Sequence, residues 1–328
     1  MAVKGLTALT LADWGKRVDP NGKVDKIIEL LSQTNPILQD MPFVEGNLPT
    51  GHRTTIRSGL PSATWRLLNY GVQPSKSTTV QVTDSIGMLE TYAEVDKSLA
   101  EVQGNPAVVR LCVDRAVIEP QKQAMAQTLF YGDSSVNPQQ FMGLSSRYSS
   151  LSAGNAQNII DAGGTGTDNT SIWLVVWGEN TVHGIFPKGK KAGIQMEDKG
   201  QVTLEDANGG KYEGYRTHYK WDNGLTLRDW RYVVRIANID VSNLDDPSTA
   251  ANIAKLMIRA LHRIPNRGMG RPIFYMNRTI YEVLDLQSLE KSSLAMSVLE
   301  REGEWWTELR GVPIRETDAL LETEARVV

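Results

Sequence analysis

The hydrophobic pattern changes character several times along the chain, and each change predicts an element. Val24, Ile27, Ile28 and Leu31 stand at i, i+3, i+4 and i+7, one face of a short helix that Asn35-Pro36 ends. Flanked by extended polar chain, that helix reads as an arm that needs a neighbour. Residues 49–79 are thinly apolar (Thr54, Ile56, Trp65, Leu67), in two strand-like runs around Gly59-Leu60-Pro61-Ser62. They predict a long hairpin, which is marginal in water without a partner. Within 78–95, Val80, Val82, Ile86 and Met88 share one face of a strand interrupted near Asp84-Ser85.

Asn105-Pro106 opens a helix of about 25 residues, well beyond the usual length. Val108, Leu111, Arg115, Ile118, Lys122, Met125 and Leu129 step along one mainly apolar face. Pro120 lies inside it, and its ring conflicts with the Ala116 carbonyl, so a kink or break is expected there. Past Leu144 come Ser- and Gly-rich loops. "SIWLVVWGENTVHGIFP" predicts a buried strand and turn, and Asn223-Gly224 between β-rich runs predicts a hairpin. Ser248 or Asp246 caps a helix whose apolar face is Ile253, Leu256, Met257, Ala260 and Leu261. "RPIFYMN" reads as a strand, "RTIYEVLDLQSLE" as a helix, and the end as strand, Gly311 turn, strand. No solenoid period is present, and the fold class is α+β.

Composition narrows the function more than the fold. At 328 residues with 41% hydrophobic and 22% charged, the chain can bury a sizeable core. Net charge is −3 and the basic residues are scattered, so no stripe for gripping nucleic acid stands out. One cysteine, Cys112, rules out an internal disulfide and reads as a small apolar side chain. No apolar run is long enough for a transmembrane helix, and no signal-peptide pattern opens the chain, so a protein made in a cytoplasm is expected.

Candidate chemistry is sparse. "FYGDSSVNPQQFMGL" holds Gly132-Asp133-Ser134, which suits either a nucleophilic serine or a turn leaving the long helix. A hydrolase needs a base within reach of Ser134. The histidines are His52, His183, His218 and His262, and none follows an acid by three residues. The turn reading is preferred: Gly132 as a left-handed helix cap, with Asp133 and Ser134 bonding local backbone. "DPNGKVD" lacks the calcium-loop spacing, "GGTGT" and "PKGKKAG" lack phosphate-loop spacing, and no metal-ligand motif occurs. No catalytic residue, metal or cofactor is expected. The Trp173/Trp177 and Trp305-Trp306 pairs read as core or interface anchors.

At this stretch the chain resembles the major capsid proteins of tailed bacteriophages, the Hong Kong 97-type fold. In that family a long spine helix ends in a Gly-Asp/Asn-Gly/Ser turn, followed by a proline and a Gly-Leu. Here these are Gly132, Asp133, Ser134, Pro138, Gly143 and Leu144. "RPIFYMNRTIYEVLDLQ" is similar to the family's strand–Asn–helix segment, with Asn277 in place. "WWTELRGVPIRETDALL" is similar to its closing strand, through Leu309, Gly311, Pro313 and Ile314. The motifs are specific in 104–144 and about 250–322.

The resemblance implies an N-terminal arm (1–46), an E-loop hairpin (47–78) and a peripheral domain with the spine helix (79–134). It implies further an axial domain (135–270), elaborated across 155–245, return segments (271–308) and a closing axial strand (309–328). The function implied is a structural subunit, not an enzyme. It would self-assemble into pentamers and hexamers of an icosahedral shell around double-stranded DNA, within a virion assembled in the host cytoplasm. Ile27, Ile28 and Leu31 of the arm and Trp65 and Leu67 of the hairpin are the expected inter-subunit contacts. Expected partners are other copies of the chain, a separate scaffolding protein, a portal and a cement protein, with only non-specific proximity to DNA and no membrane. The alternatives are an encapsulin-like compartment shell and a serine hydrolase using Ser134.

Overall fold

The computed structural model describes residues 33–102, 105–206, 208–244, 251–290, 296–301 and 304–328. The arm helix with Ile27, Ile28 and Leu31, the "DPNGKVD" turn and the caps expected at Asp246 and Ser248 lie outside them. The described chain begins with α1 (Ile37–Asp40), β1 (Phe43–Glu45), β2 (Gly51–Gly59) and β3 (Thr78–Asp96), then α2 (Lys97–Glu101), α3 (Pro106–Tyr131) and α4 (Leu144–Arg147). There follow β4 (Ile159–Asp161), β5 (Asn169–Trp177), β6 (Val182–Phe186), β7 (Gln195–Glu205), β8 (Lys211–Leu227) and β9 (Val233–Asp240). The last elements are α5 (Ile253–Leu261), β10 (Arg271–Met276), α6 (Arg278–Glu290), β11 (Met296–Arg301), β12 (Glu304–Leu309) and β13 (Val312–Glu316).

Among the described residues the strands form one 13-stranded network with two limbs. One limb runs through β9, β5, β10 and β13 to the β12–β11 hairpin. β4 adds to the free side of β9, and the other limb gathers β1, β6, β7, β8, β3 and β2. The limbs meet at one residue pair, Trp177 and Val182.

β5 is buried along its whole length, and its alternation explains the layering. Trp173, Val175 and Trp177 face the C-terminal half of α3, with Leu129 and Phe130. Ile172, Leu174 and Val176 face α5 and α6. The period of two thus sends one strand's side chains into two cores. A third, smaller core joins Ala93 and Val95 of β3 to Val109 and Val113 of α3.

Four expectations are corrected here. α3 is not broken at Pro120; Ala116 and Pro120 are both exposed, so the carbonyl that loses its donor can bond water. The buried face of α3 is Val109, Val113, Gln121, Met125, Ala126, Leu129 and Phe130, whereas Val108 and Leu111 are exposed. Asn223-Gly224 makes no hairpin. β8 runs straight through it, because β3 and β6 flank Gly224 so closely that a Cβ would lie 2.5 Å from the Ser85 oxygen. The actual hairpin joins β7 to β8. Finally α5 is capped by Asn252, whose side chain accepts from the Lys255 N–H, while the apolar face is buried as expected.

The chain's C-terminus is bolted to this frame by a buried ion pair. Arg235 on β9 lies 2.8 Å from Glu324, both side chains under 5% exposed. Ser171 and Tyr131 at the end of α3 donate to the same carboxylate, and the Arg235 guanidinium lies over the Trp173 ring. Removing one member of such a pair strands a buried charge. Glu324→Ala is expected to destabilise the subunit by about 3–5 kcal/mol, read from the urea unfolding midpoint. A change within experimental error would show that the bolt is dispensable.

Candidate assembly interface

The expected hairpin exists with different bounds. β2 pairs antiparallel with β3 from Gly51↔Ser85 to Gly59↔Thr78. Its returning strand is therefore the one read as a separate element from residue 78 onward. That strand is not interrupted at Asp84-Ser85; it changes partner there, pairing β2 up to Ser85 and β8 from Ile86. Gly59-Leu60-Pro61-Ser62 is not the turn. Residues 60–77 form a loop outside the ladder, tied across by Ser58–Thr78 and Ser75–Ser62 bonds of 3.0 and 3.1 Å. The tight turn is Leu67–Tyr70, with Asn69 at φ 66°.

Among the described residues, every position from 60 to 77 is exposed. Trp65 is fully exposed, and Leu60, Leu67, Leu68 and Tyr70 are each at least 70% exposed. Single exposed apolar residues are ordinary, but five within eleven positions on a projecting loop mark an interaction site. Trp65 and Leu67 therefore sit where a partner could cover them. Leu60, Leu68 and Tyr70 escaped the sequence reading because no periodicity distinguishes a contact loop from a loop.

The hairpin's root is rigid and chemically unusual. His52 on β2 meets His183 on β6 edge to face, with ring centroids 5.9 Å apart, and Arg228 reaches to 3.5 Å from the His52 ring. Burial, then Arg228, then His52 hold His183 down to about 4. Burial and Arg228 also lower His52, partly opposed by Asp84. Asp84 is itself buried and bound by Arg147 at 2.9 Å.

Below its ordinary value near 6.5, His183 would be protonated in the unfolded chain but stays neutral in the folded one down to about 4. Stability therefore falls as pH drops through that window, by an amount on the order of 3 kcal/mol. Unfolding midpoints followed from pH 7 to 4 should decline, and His183→Leu should flatten the decline. An equal slope in the variant would assign the acid sensitivity elsewhere.

The Gly132–Gly143 segment is a backbone closure. Gly132 is not left-handed: φ is −55° and ψ 133°. Glycine is needed there for space, since a Cβ would fall 2.4 Å from the Phe141 oxygen and 2.6 Å from the Thr128 oxygen. A Cβ on Gly143 would lie 2.6 Å from the same Thr128 oxygen, and the Gly143 N–H donates to the Gly132 oxygen at 2.8 Å. The Asp133 carboxylate accepts from the Ser135 N–H and hydroxyl, which hold it below the usual carboxylate range. Pro138 is exposed on the loop between. Gly311, at φ 76°, and Arg310, at φ 52°, form the two-residue turn joining β12 to β13, whose second residue is Pro313.

No histidine bonds Ser134 among the described residues. His52 and His183 face each other, and His218 stacks on Tyr92 and bonds Glu90. The cavity of about 170 Å³ beside the turn is lined by Asn137, Gln139, Gln140 and Phe141 with residues of β3 and α3, and no histidine. The described residues include no cluster of metal-ligating side chains and no helix long and apolar enough to cross a membrane.

A family model described as major capsid protein GP7 matches residues 19–328. This chain belongs to the major capsid protein GP7 family. The solved structure of bacteriophage Epsilon15 contains a chain 34% identical, with TM-score 0.79, covering 100% of this chain and 99% of that one. A chain of the bacteriophage JBD30 capsid is 10% identical with TM-score 0.48, over 89% and 93%. A chain of the Synechococcus elongatus SrpI encapsulin complex is 10% identical with TM-score 0.44, over 70% and 96%. A search of curated proteins finds no match. The α+β architecture is thus the phage capsid fold, and the protein is a self-associating structural component of the virion, not an enzyme. The Gly-Asp-Ser triplet is part of the turn.

Because the two closest clashes at Gly132 are with backbone, even Gly132→Ala should lose about 2 kcal/mol or more, at the upper end of overpacking. Gly132→Val should yield little folded subunit. Wild-type melting temperatures in both would mean the loop moves aside freely.

Proposed function

We propose that copies of this chain close into pentamers and hexamers that tile an icosahedral shell around double-stranded DNA, with each hairpin laid over the adjacent subunit. The observation that carries this reading is the hairpin tip, whose large apolar side chains are exposed at the end of a regularly paired two-stranded ladder. Aromatic and aliphatic anchors supply most interface energy, and contacts between identical subunits in a ring are head-to-tail. Trp65 and Leu67 act as anchors, and the arm's Ile27, Ile28 and Leu31 pack on a neighbour. In this division residues 1–46 are the arm, 47–85 the E-loop with its returning strand, 86–134 the peripheral domain and 135–270 the axial domain. Segments 271–308 return between them, and 309–328 close the axial sheet. A separate scaffolding protein, a portal and a cement protein complete the assembly in the host cytoplasm.

Negative-stain microscopy with sizing of the chain, alone and co-expressed with its genomic neighbours, tests the reading. Closed shells or capsomer-sized rings are expected, carrying genome-length DNA when taken from virions. Shells holding protein cargo instead would favour a compartment, and an inert monomer under every condition would refute assembly. Trp65→Ala should lower shell yield at least tenfold while leaving the subunit's melting temperature unchanged, since the side chain is fully exposed in the single copy. Shells at wild-type yield would remove Trp65 as an anchor.

A further inference from the structure

The hairpin is not only apolar at its tip. Between Gly46 and Thr83 the chain carries Arg53, Arg57, Arg66 and Lys76 and not one aspartate or glutamate, in a protein whose net charge is −3. All four cations are exposed, and none joins an ion pair among the described residues. A projecting element with this composition selects a partner that is acidic and offers some apolar surface.

One surface of the same molecule has that chemistry. On the outer face of α6, Glu282 and Leu286 follow Arg278 at successive turns and are exposed. Arg278 binds Glu316 at 2.6 Å and lies 3.6 Å from Asp318, and the Thr279 hydroxyl donates to Glu322 at 2.6 Å. Arg278 thus answers two of these carboxylates, while Glu282 and Glu322 join no ion pair among the described residues; Leu286 on the same helix and Leu321 beside Glu322 are exposed at 55% and 40%.

The hairpin and this surface lie towards opposite ends of the strand path, β2–β3 at one end and β13, followed by β12 and β11, at the other. Complementary patches at the two ends of one subunit make a head-to-tail contact, the type that closes rings. Opposite charge steers such an encounter and sets its register, and the apolar residues hold it once formed.

We propose that the cationic hairpin of one copy docks on the acidic face formed by α6 and residues 316–322 of the next copy, with Arg57 and Arg66 opposite Glu282 and Glu322. This rests on the shell-forming reading above and names the receiving surface. Phosphates would also attract the cations, but they give no cover to Leu60, Trp65, Leu67, Leu68 and Tyr70; a folded surface bearing Leu286 and Leu321 does.

A charge swap tests it. Full-length wild type, Arg57→Glu/Arg66→Glu, Glu282→Lys/Glu322→Lys and the four-fold combination are co-expressed with their genomic neighbours. Shell yield is measured by sedimentation and microscopy, with melting temperature checking the fold. Each double variant is expected to lose tenfold or more in yield at an unchanged melting temperature, and the combination to recover most of it. Should an acidic-face double variant lower the melting temperature, Glu282→Gln alone serves, with a severalfold loss expected. Wild-type yield from Glu282→Lys/Glu322→Lys, or a combination no better than either double variant, overturns the proposal. So do normal shells from Arg57→Glu/Arg66→Glu that retain less DNA, which would assign the hairpin's charge to nucleic acid. A wild-type chain that forms neither shells nor rings defeats the shell reading itself, before the receiving surface is in question.

Discussion

The rest of the molecule depends on the burial of β5 on both faces. A strand with every position buried must find an apolar layer above and below it, and the two layers here come from distant parts of the chain. The C-terminal half of α3 supplies one, and α5 and α6 supply the other. Docking α3 on β5 fixes where that long helix ends. The Gly132–Gly143 backbone closure, the Tyr131 contact with Glu324 and the Glu324–Arg235 pair all gather at that end. Each requires the helix terminus to be placed to within a fraction of an ångström, and β5 is the reference that places it.

From this anchored centre the structure becomes less self-sufficient outward. β3 leaves β8 at Ile86 and continues as half of a two-stranded ladder, which water alone stabilises poorly. Its root is held firmly by buried His52, His183 and Asp84, while its tip is left with exposed aromatic and aliphatic side chains. A rigid root with an unsatisfied tip suits a part that must arrive on a neighbour already shaped, because little ordering entropy is then lost on contact. The family's role as shell subunits accords with that economy of design: packing inside the subunit positions groups whose partners are on another copy.

Much of this was legible in the chain. The apolar face of α5, the buried run of β5, the strand–helix pair at β10–α6 and the Gly311 turn follow from periodicity and turn chemistry. Trp65 and Leu67 could be singled out because they were large apolar residues in a stretch too polar to bury them. The misreadings share one cause. Asn223-Gly224 has the composition of a turn, yet strands on both sides hold it extended, with Gly224 chosen for closeness to Ser85 and not for positive φ. Gly132 likewise serves space, not handedness. The buried face of α3 is rotated from the expected one because β3 covers its first half and β5, some forty residues further along the chain, covers its second.

By itself the sequence determined which segments could be helix or strand, and that one hairpin carried too little apolar surface to form a core of its own. Its family signature stood in the spacing of Gly132, Pro138 and Gly143. These are local properties, carried by side-chain period and by backbone freedom over a few residues. Tertiary structure alone decided which glycines are tight contacts, where β3 changes partners, and that Arg235 and Glu324, 89 residues apart, share one buried site. Such features depend on what stands opposite a residue in space, and chain order does not encode that locally.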